Sequence, residues 1–384
     1  MQAKVLWFNR DQALIRQFKT GVSIHSHTGR SKESLAFVGS ILESHPLLRN
    51  FIRAQEGAAS KRGLPIDFKQ GYWTPPLSPR LAYELEKDQI AQKLEMNALV
   101  SLSDHDCIEA SLLLRVVPAM REAPVSLEWT VPFRTAKFHL GVHNLPAARA
   151  RELTDELKAC TAEPSTERVC DLLRTLHAIP EVLVVFNHPL WNLYANSENE
   201  FAQNLENFLA LNSGQLHAFE LNGLRRWEEN CRVAQLAARW QQILISGGDR
   251  HGCEPNANLN LTNANSFAEW VQELRGERTS QVLFMPQYDH SLVARCYQTF
   301  LDAIGEYPDH SDGAPRWDQR TYHPGRDGSV QPLSALWIRI PGFLQAILNF
   351  ARLAETTHLL STLRIYGRRP AGNIPDISGQ EEGA

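Results

Sequence analysis

The sequence of 384 residues has no run of about 18 apolar residues, and its N-terminal segment MQAKVLWFNRDQALIRQF carries charges throughout rather than an apolar core. From these absences we expect neither export of the protein nor its insertion into a membrane. The six cysteines form no CxxC pair, and such cysteines in a long chain without a secretory signal are typically reduced thiols. We therefore expect a cytoplasmic protein.

The chain also lacks an excess of positive charge. Its 39 Lys and Arg residues stand against 43 Asp and Glu residues, for a formal net charge of −4, and the basic residues are scattered. A polyanion such as DNA is normally bound by a concentrated basic surface. The composition therefore argues against a nucleic-acid scaffold role.

Short strand-like segments alternate with amphipathic helical segments along most of the chain. GVSI, ALVSLS, VLVVF and ILIS are rich in β-branched and aliphatic residues, whereas ARARELTDELKAC and ENCRVAQLAARW have helical periodicity. This alternation predicts an α/β fold with a parallel sheet covered by helices. Seven or eight such units favour closure into a barrel, with a doubly wound open sheet as the alternative.

Two regions interrupt this alternation. Roughly 70 residues separate His27 from Leu99, far more than an ordinary connection, which predicts an insertion over about residues 28–97 that helps to cover a substrate. We expect a barrel domain over residues 1–290, a helical C-terminal extension over 291–370 and a disordered tail over 371–384. The extension is expected either to cover the barrel or to mediate homo-oligomer formation.

Residues that can bind metal ions fall at the ends of the predicted strands. They are His25 and His27 in HSH, His105 in SDHD, Glu128 in LEW, His139 in FHLG, His188 in NHP, and Asp249 and His251 in GGDRHG. A parallel barrel places its chemistry at the carboxyl ends of its strands. Side chains alternate along an extended segment, so both histidines of HSH point the same way. We therefore expect these residues to meet in one site.

The mixture of imidazole and carboxylate groups suits Mn²⁺, Fe²⁺ or Zn²⁺. More ligands are present than one ion needs, which predicts a centre of two or three divalent ions. A lone HSH or SDHD motif would often be incidental, and SDHD alone could cap a helix. The occurrence of several such motifs at successive strand ends favours a metal site.

The order of these motifs resembles that of the PHP (polymerase and histidinol phosphatase) superfamily of phosphoesterases. The resemblance covers most of residues 21–255, and Glu128 and His139 keep the eleven-residue spacing of known members. It implies a distorted (β/α)7 TIM-like barrel of the PHP type and a site for up to three ions.

The same resemblance implies ligands for each ion. The first ion would be held by His25, His27, Glu128 and Asp249, and the second by Glu128, His139 and His188. The third would use His105, His251 and a residue seven or eight positions after His25, which is Lys32 or Glu33. Alignment on Lys32 would put an ammonium in place of the third ion, whereas alignment on Glu33 would complete the third site.

Other residues near these motifs are candidates for contacts with substrate. Arg30, Lys32 and Arg250 could stabilise the charge of a phosphoryl group, with Arg225 and Arg226 as a weaker pair. Asp104 or His251 could protonate a leaving group. Glu220 is expected to hydrogen bond to a ligand rather than to bind metal. His143 is expected either to support the ligands or to be an ordinary core residue.

Three functions remain open from the sequence. The first is hydrolysis of a small phosphate monoester by a metal-bound hydroxide. The second is hydrolysis of another bond, such as an amide, by an amidohydrolase-like reaction. The third is a catalytically silent PHP module, which the nearly complete ligand set disfavours.

Overall fold

The computed structural model describes residues 2–35, 70–192, 197–309, 314–325 and 328–337, with isolated positions between 340 and 349. The strands are β1 (Gln2–Trp7), β2 (Thr20–Ile24), β3 (Glu33–Ser34), β4 (Tyr72–Trp73), β5 (Asn97–Ser101), β6 (Val125–Phe133), β7 (Ala136–Leu145), β8 (Leu183–Asn187), β9 (Ala218–Asn222), β10 (Ile243–Gly247), β11 (Asn258–Thr262), β12 (Thr279–Phe284), β13 (Thr321–Pro324) and β14 (Val330–Pro332). The α-helices are α1 (Gln12–Ile15), α2 (Pro79–Gln89), α3 (Glu109–Val116), α4 (Ala150–Ala162), α5 (Thr166–His177), α6 (Glu198–Asn212), α7 (Trp227–Arg239), α8 (Phe267–Glu277), α9 (Leu292–Ile304) and α10 (Leu333–Leu336).

Helix α5 illustrates how the predicted helices form. Its N-cap residue Ser165 accepts a hydrogen bond from Arg168 N, which satisfies one of the free amides of the first turn. Its apolar residues recur at helical spacing and are buried in one hydrophobic cluster with Phe186 of β8; they are Val169, Leu172, Leu173 and Leu176. The helix therefore covers the sheet through one apolar face.

The described strands form three sheets. The order β1-β12-β11-β2-β5 makes the first core sheet, and β10-β9-β8-β7-β6 makes the second. The order β14-β13-β4-β3 makes a smaller accessory sheet. Strands β2, β8, β9 and β10 are buried along their whole length, as expected for strands covered on both faces. The predicted parallel sheet is mixed, because β2 also pairs antiparallel with β11, and β8 with β7.

The two core sheets meet at the carboxyl ends of β2, β5 and β10. Single bridges join Ser26 to Arg250 and His105 to Glu128, and Gly248 N donates to Ile24 O at 3.1 Å. These contacts place several strand ends next to one another. The predicted α/β class is confirmed, but the described strands divide between two core sheets and form no closed barrel.

The insertion and the extension contribute to the accessory sheet. Strands β3 and β4 and helix α2 lie within the predicted insertion, whose residues 36–69 fall outside the described part of the chain. The predicted helical extension contains α9 and α10, but it also supplies β13 and β14. Residues 350–384, which include the predicted tail, fall outside the described residues.

Two expectations from composition can be compared with the fold. The six cysteines form no disulfide with one another in the structure, and their reduced state stays a prediction. Among the described residues, no helix combines the length and apolar character needed to cross a bilayer.

Candidate metal centre

Nine side chains predicted to bind metal lie together where the core sheets meet. Their ligand atoms form four overlapping groups, and within each group all atoms lie within 4.8 Å of one another. The groups are His27 with Glu33, His105 and His251; His25 with His27 and Glu128; His25 with His188 and Asp249; and His105 with Glu128 and His139. We call these nine residues the ligand cluster.

Glu128 lies at the centre of the ligand cluster. Its Oε2 lies 3.3 Å from both His27 Nε2 and His105 Nδ1. Its Oε1 faces three other ring nitrogens, with distances of 3.2 Å to His25 Nε2, 3.4 Å to His139 Nδ1 and 3.3 Å to His188 Nε2. Each carboxylate oxygen faces a different set of imidazoles, so Glu128 could provide ligand atoms for more than one ion.

Asp249 approaches the ligand cluster from the loop after β10. Its Oδ1 lies 3.6 Å from His25 Nε2 and 3.7 Å from His27 Nε2. The backbone turns sharply at these positions, with φ angles of 60° at His25, 28° at His188 and 56° at Asp249. Residues other than glycine seldom adopt such angles, and they cost free energy where they occur. The turns direct the side chains into a common centre.

Glu33, and not Lys32, faces the ligand cluster. Its Oε2 lies 3.1 Å from His251 Nε2 and 3.3 Å from His105 Nε2. Lys32 is exposed, and its Nζ lies 5.3 Å from the centre of the Tyr72 ring. The geometry therefore favours the alternative in which Glu33 completes a third group of ligands.

Several ligand atoms are buried without a hydrogen-bond partner among the described residues. They are His27 Nε2, Glu33 Oε1, His105 Nδ1, Glu128 Oε2 and His139 Nδ1. An unpaired buried polar atom costs about 1–3 kcal/mol, so such atoms are rare in folded proteins. Their convergence on a common space fits bound divalent cations, for which nitrogen and carboxylate donors are suitable ligands.

The ionisation of the cluster also fits metal binding. Although burial raises the pKa of Glu128 and Asp249, the neighbouring histidines hold the pKa of both carboxyls well below the usual range. Burial lowers the pKa of His27 well below its ordinary value, which keeps its imidazole neutral. Burial also lowers the pKa of His105, but Glu33 and Glu128 outweigh it and raise this pKa to about 10. A cation there would have to displace a proton from the ring.

A ring of buried polar residues holds the ligands in place. His25 Nδ1 lies 2.5 Å from Glu220 Oε1, so this carboxylate accepts the ring N–H and turns Nε2 towards the centre. Glu220 Oε2 also accepts a hydrogen bond from His188 N at 2.8 Å. Asn187 Nδ2 donates to Glu128 Oε1 at 2.9 Å. The predicted supporting role of Glu220 is confirmed by these contacts, whereas Asn187 was not singled out although it directly precedes His188.

Asp104 lies beside the ligand cluster rather than in it. Its two oxygens accept hydrogen bonds from Thr28 N at 2.6 Å and from Thr28 Oγ1 at 2.8 Å. The side chain is fully buried, and burial raises the pKa of Asp104 to about 7. These contacts hold the loop after β2, and the role of Asp104 as a leaving-group acid stays a prediction.

The guanidinium of Arg250 makes hydrogen bonds within the protein. Its Nε donates to Glu86 Oε1 at 2.8 Å, its Nη1 to Gly252 O at 2.7 Å and its Nη2 to His27 O at 3.1 Å. The side chain is 4% exposed. The guanidinium joins α2 to the loops that carry the ligands, and a role of Arg250 in substrate binding stays a prediction.

Arg30 and Lys32 point away from the ligand cluster as well. Arg30 is half exposed and pairs with Glu109 at 3.7 Å, which is a surface contact. Lys32 lies over Tyr72 as described above. The substrate-binding roles of Arg30 and Lys32 stay predictions.

Arg225 places its guanidinium beside a carboxylate of the ligand cluster. Its Nη2 lies 3.5 Å from Asp249 Oδ2, and its guanidinium carbon lies 4.4 Å from the centre of the Trp191 ring. Trp191 also packs edge-on against His188 at 4.9 Å. Nothing in ELNGLRR shows which arginine turns inward, so the sequence indicates Arg225 and Arg226 only as a weaker pair of candidates.

A small pocket opens beside His139 and His188. Its walls also include Lys137, Phe186 and Trp191. His143 lies deeper on the same strand as His139, where its Nδ1 lies 2.8 Å from Ser101 Oγ. Burial lowers the pKa of His143 to about 3, so it is a neutral buried residue and not a member of the ligand cluster.

No protein-family model matches the sequence, and no curated protein matches it closely enough to count as a relative. Solved structures with partial similarity include PsfC from Pseudomonas syringae, with 17% identity over 58% of this chain and 91% of that chain and a TM-score of 0.37. An amidohydrolase from Chromobacterium violaceum with bound sulfate and no metal has 16% identity over 52% and 92% and a TM-score of 0.33. A candidate metal-dependent phosphoesterase from Bifidobacterium adolescentis has 19% identity over 53% and 92% and a TM-score of 0.28. Similarities of this size assign no function to this chain.

Proposed function

We propose that the protein is a metal-dependent hydrolase of the PHP type, and that its substrate is a small phosphate monoester. The observation that carries this proposal is the convergence of six histidines and three carboxylates around Glu128, with buried ligand atoms that have no partner among the described residues. The two core sheets, bridged at Ser26 and His105, would be parts of a distorted and incompletely paired (β/α)7 barrel.

The ligand cluster would hold two or three Mn²⁺, Fe²⁺ or Zn²⁺ ions. As the resemblance implies, one ion would bind His25, His27, Glu128 and Asp249, which face one another in the structure. A second would bind Glu128, His139 and His188. A third would bind Glu33, His105 and His251. When bound, such ions lower the pKa of a shared water from 15.7 towards about 7 and neutralise charge on a phosphoryl group.

The protein's own residues would orient these ligands and receive the substrate. Glu220 and Asn187 fix the positions of His25 and Glu128 through hydrogen bonds. Arg225 lies close enough to Asp249 to meet an anionic group at the edge of the cluster. His251 is 15% exposed, whereas Asp104 is fully buried. In a centre of two ions, where no third ion would take its Nε2, His251 would be the candidate for protonating a leaving group.

Phosphate release from a panel of phosphomonoesters, nucleotides and sugar phosphates tests the proposal. We expect release by Mn²⁺-loaded protein, and we expect chelated protein and the Asp249→Asn variant to release none. Absence of release by folded, metal-loaded protein would reject a phosphomonoester substrate, and the same controls would then be applied to amide and lactone substrates.

A further inference from the structure

Glu33 reaches the ligand cluster from the accessory sheet rather than from a core strand. It lies on β3, where it pairs with Trp73 of β4, and Trp73 pairs in turn with Thr321 of β13. Strands β3 and β4 have two residues each, so a pair of this length is not stable by itself. The position of Glu33 therefore depends on the strand that pairs with the far side of β4.

Two further contacts connect β4 with the C-terminal segment. The rings of Tyr72 and Tyr322 stack with their centres 4.9 Å apart and their planes 12° apart. Just beyond β4, Thr74 N donates to Arg320 O at 2.8 Å. The strand that supports Glu33 is thus held by residues almost 250 positions later in the chain, as the numbering shows.

The loop that carries His251 is held by the same part of the chain. Cys253 N donates to Asp302 Oδ2 at 2.6 Å, near the end of α9. The contact is close, because a Cβ atom added at Gly252 would lie 2.4 Å from this oxygen. Gly252 is therefore needed for the approach of α9 to the loop.

Arg320 joins the two supports. The buried guanidinium donates to Ala303 O at 2.9 Å, Gly305 O at 2.8 Å and Ala314 O at 2.8 Å. Arg320 thus joins the residues that contact the loop of His251 to those that pair with β4 and support Glu33. By contrast, His25, Glu128, His139 and His188 lie on core strands or directly after them.

We propose that residues 302–309 and 314–322 are a positioning element for one ion only, the ion held by Glu33, His105 and His251. The inference rests on the proposed metal centre and deepens it. The other two ions would be held by the core sheets alone. Loss of the C-terminal contacts would then remove one ion and leave a folded, binuclear centre.

Metal counting in full-length protein tests this separation. Asp302→Ala removes the acceptor for Cys253 N, and Tyr322→Ala removes the stacked ring. Matched variants keep these contacts, since Asp302→Asn retains a carbonyl oxygen and Tyr322→Phe retains the ring. Mn²⁺ bound per chain is measured by elemental analysis and by calorimetric titration after chelation, with circular dichroism as the check on folding.

We expect the double variant Asp302→Ala/Tyr322→Ala to bind one ion fewer than the wild type, or to bind that ion about 10- to 100-fold more weakly, while the others bind as before. Asp302→Asn and Tyr322→Phe should bind the full complement. Unchanged binding by the folded double variant, or equal weakening of every ion, would overturn the inference. Asp302→Ala and Tyr322→Ala are also measured separately. If the double variant fails to fold, retention of all ions by both single variants would overturn the inference.

The wild type separates this inference from the proposed function. Two ions bound to wild-type protein would reject the third site and leave the metal-dependent hydrolase standing. No bound ion in the wild type would reject both.

Discussion

The carboxylate of Glu33 lies 3.1 Å from the imidazole Nε2 of His251, although one residue belongs to the accessory sheet and the other follows the last strand of the second core sheet. We expect Glu33→Ala to lower the Mn²⁺ content by one ion per chain, because His105 and His251 would lose the carboxylate of their group. Elemental analysis of reconstituted protein measures this. Lys32→Ala is the control and should keep the full metal content, since Lys32 faces Tyr72; the same loss in both variants would mean that the loop, and not the carboxylate, matters.

Glu220 offers a test of ligand orientation. Its Oε1 accepts the Nδ1 proton of His25, so Glu220→Gln replaces a charge-assisted hydrogen bond with a weaker one. We expect metal affinity to fall about 10- to 100-fold, as is usual when the partner of a ligating histidine is removed. Competition with a chromogenic chelator gives the affinity. Glu206→Gln, which alters only an exposed pair with Arg239, should bind metal as the wild type does.

Arg225 is expected to contribute to substrate binding. Its guanidinium is positioned by Trp191 and lies beside Asp249, where Lys cannot reproduce its planar set of donors. Arg225→Lys should reduce kcat/KM for a phosphomonoester by about 10- to 100-fold, the equivalent of one charge-assisted hydrogen bond. Steady-state kinetics measures the effect, and metal content must remain that of the wild type. Arg226→Lys is the matched control, because Arg226 is exposed; an equal loss there would argue against a specific role for Arg225.

His217 should make stability depend on pH without involving the metal centre. Its Nδ1 accepts a hydrogen bond from Val184 N at 2.8 Å. Burial, together with Arg275, His177 and Arg278, lowers the pKa of His217 to about 3. Because the unfolded chain takes up the proton first, the stabilisation is complete above the unfolded pKa of about 6.5 and is lost as the pH falls towards 3.

The wild type should therefore lose up to about 2 kcal/mol more unfolding free energy than His217→Asn between pH 7.5 and pH 5. Asn keeps an acceptor for Val184 N but does not titrate. Urea denaturation at the two pH values measures the difference. Parallel pH dependence in the two proteins would show that His217 is not the residue responsible.

The sequence predicted most of the ligand cluster because its members follow a local rule. Side-chain alternation brings His25 and His27 to one side, and the carboxyl ends of β2 and β10 bring Asp249 to them. The choice between Lys32 and Glu33 could not be made in this way. It depends on the pairing of β3 with β4, which is set by contacts with β13 far along the chain.

Arg250 shows a second limit of sequence analysis. Its position within GGDRHG suggests a role in substrate binding, but in the structure its guanidinium donates a hydrogen bond to Glu86 on α2. The residues around the arginine in the sequence do not reveal a buried carboxylate on a helix far away along the chain. The division of the described strands between two core sheets could not be predicted for a similar reason, since hydrogen bonding between strand edges is decided by the relative position of whole sheets.

The positive φ angles of His25, His188 and Asp249 have a consequence for how the protein would evolve in the laboratory. Glycine would relieve the backbone strain at each position, which is worth about 1–3 kcal/mol per residue, while removing a ligand. A library selected only for heat resistance, in medium depleted of metal, should therefore become enriched in glycine at these three positions. The same library selected for activity should keep the parental residues. Selection for thermal stability and selection for activity would therefore favour different residues at the turns that carry these three side chains.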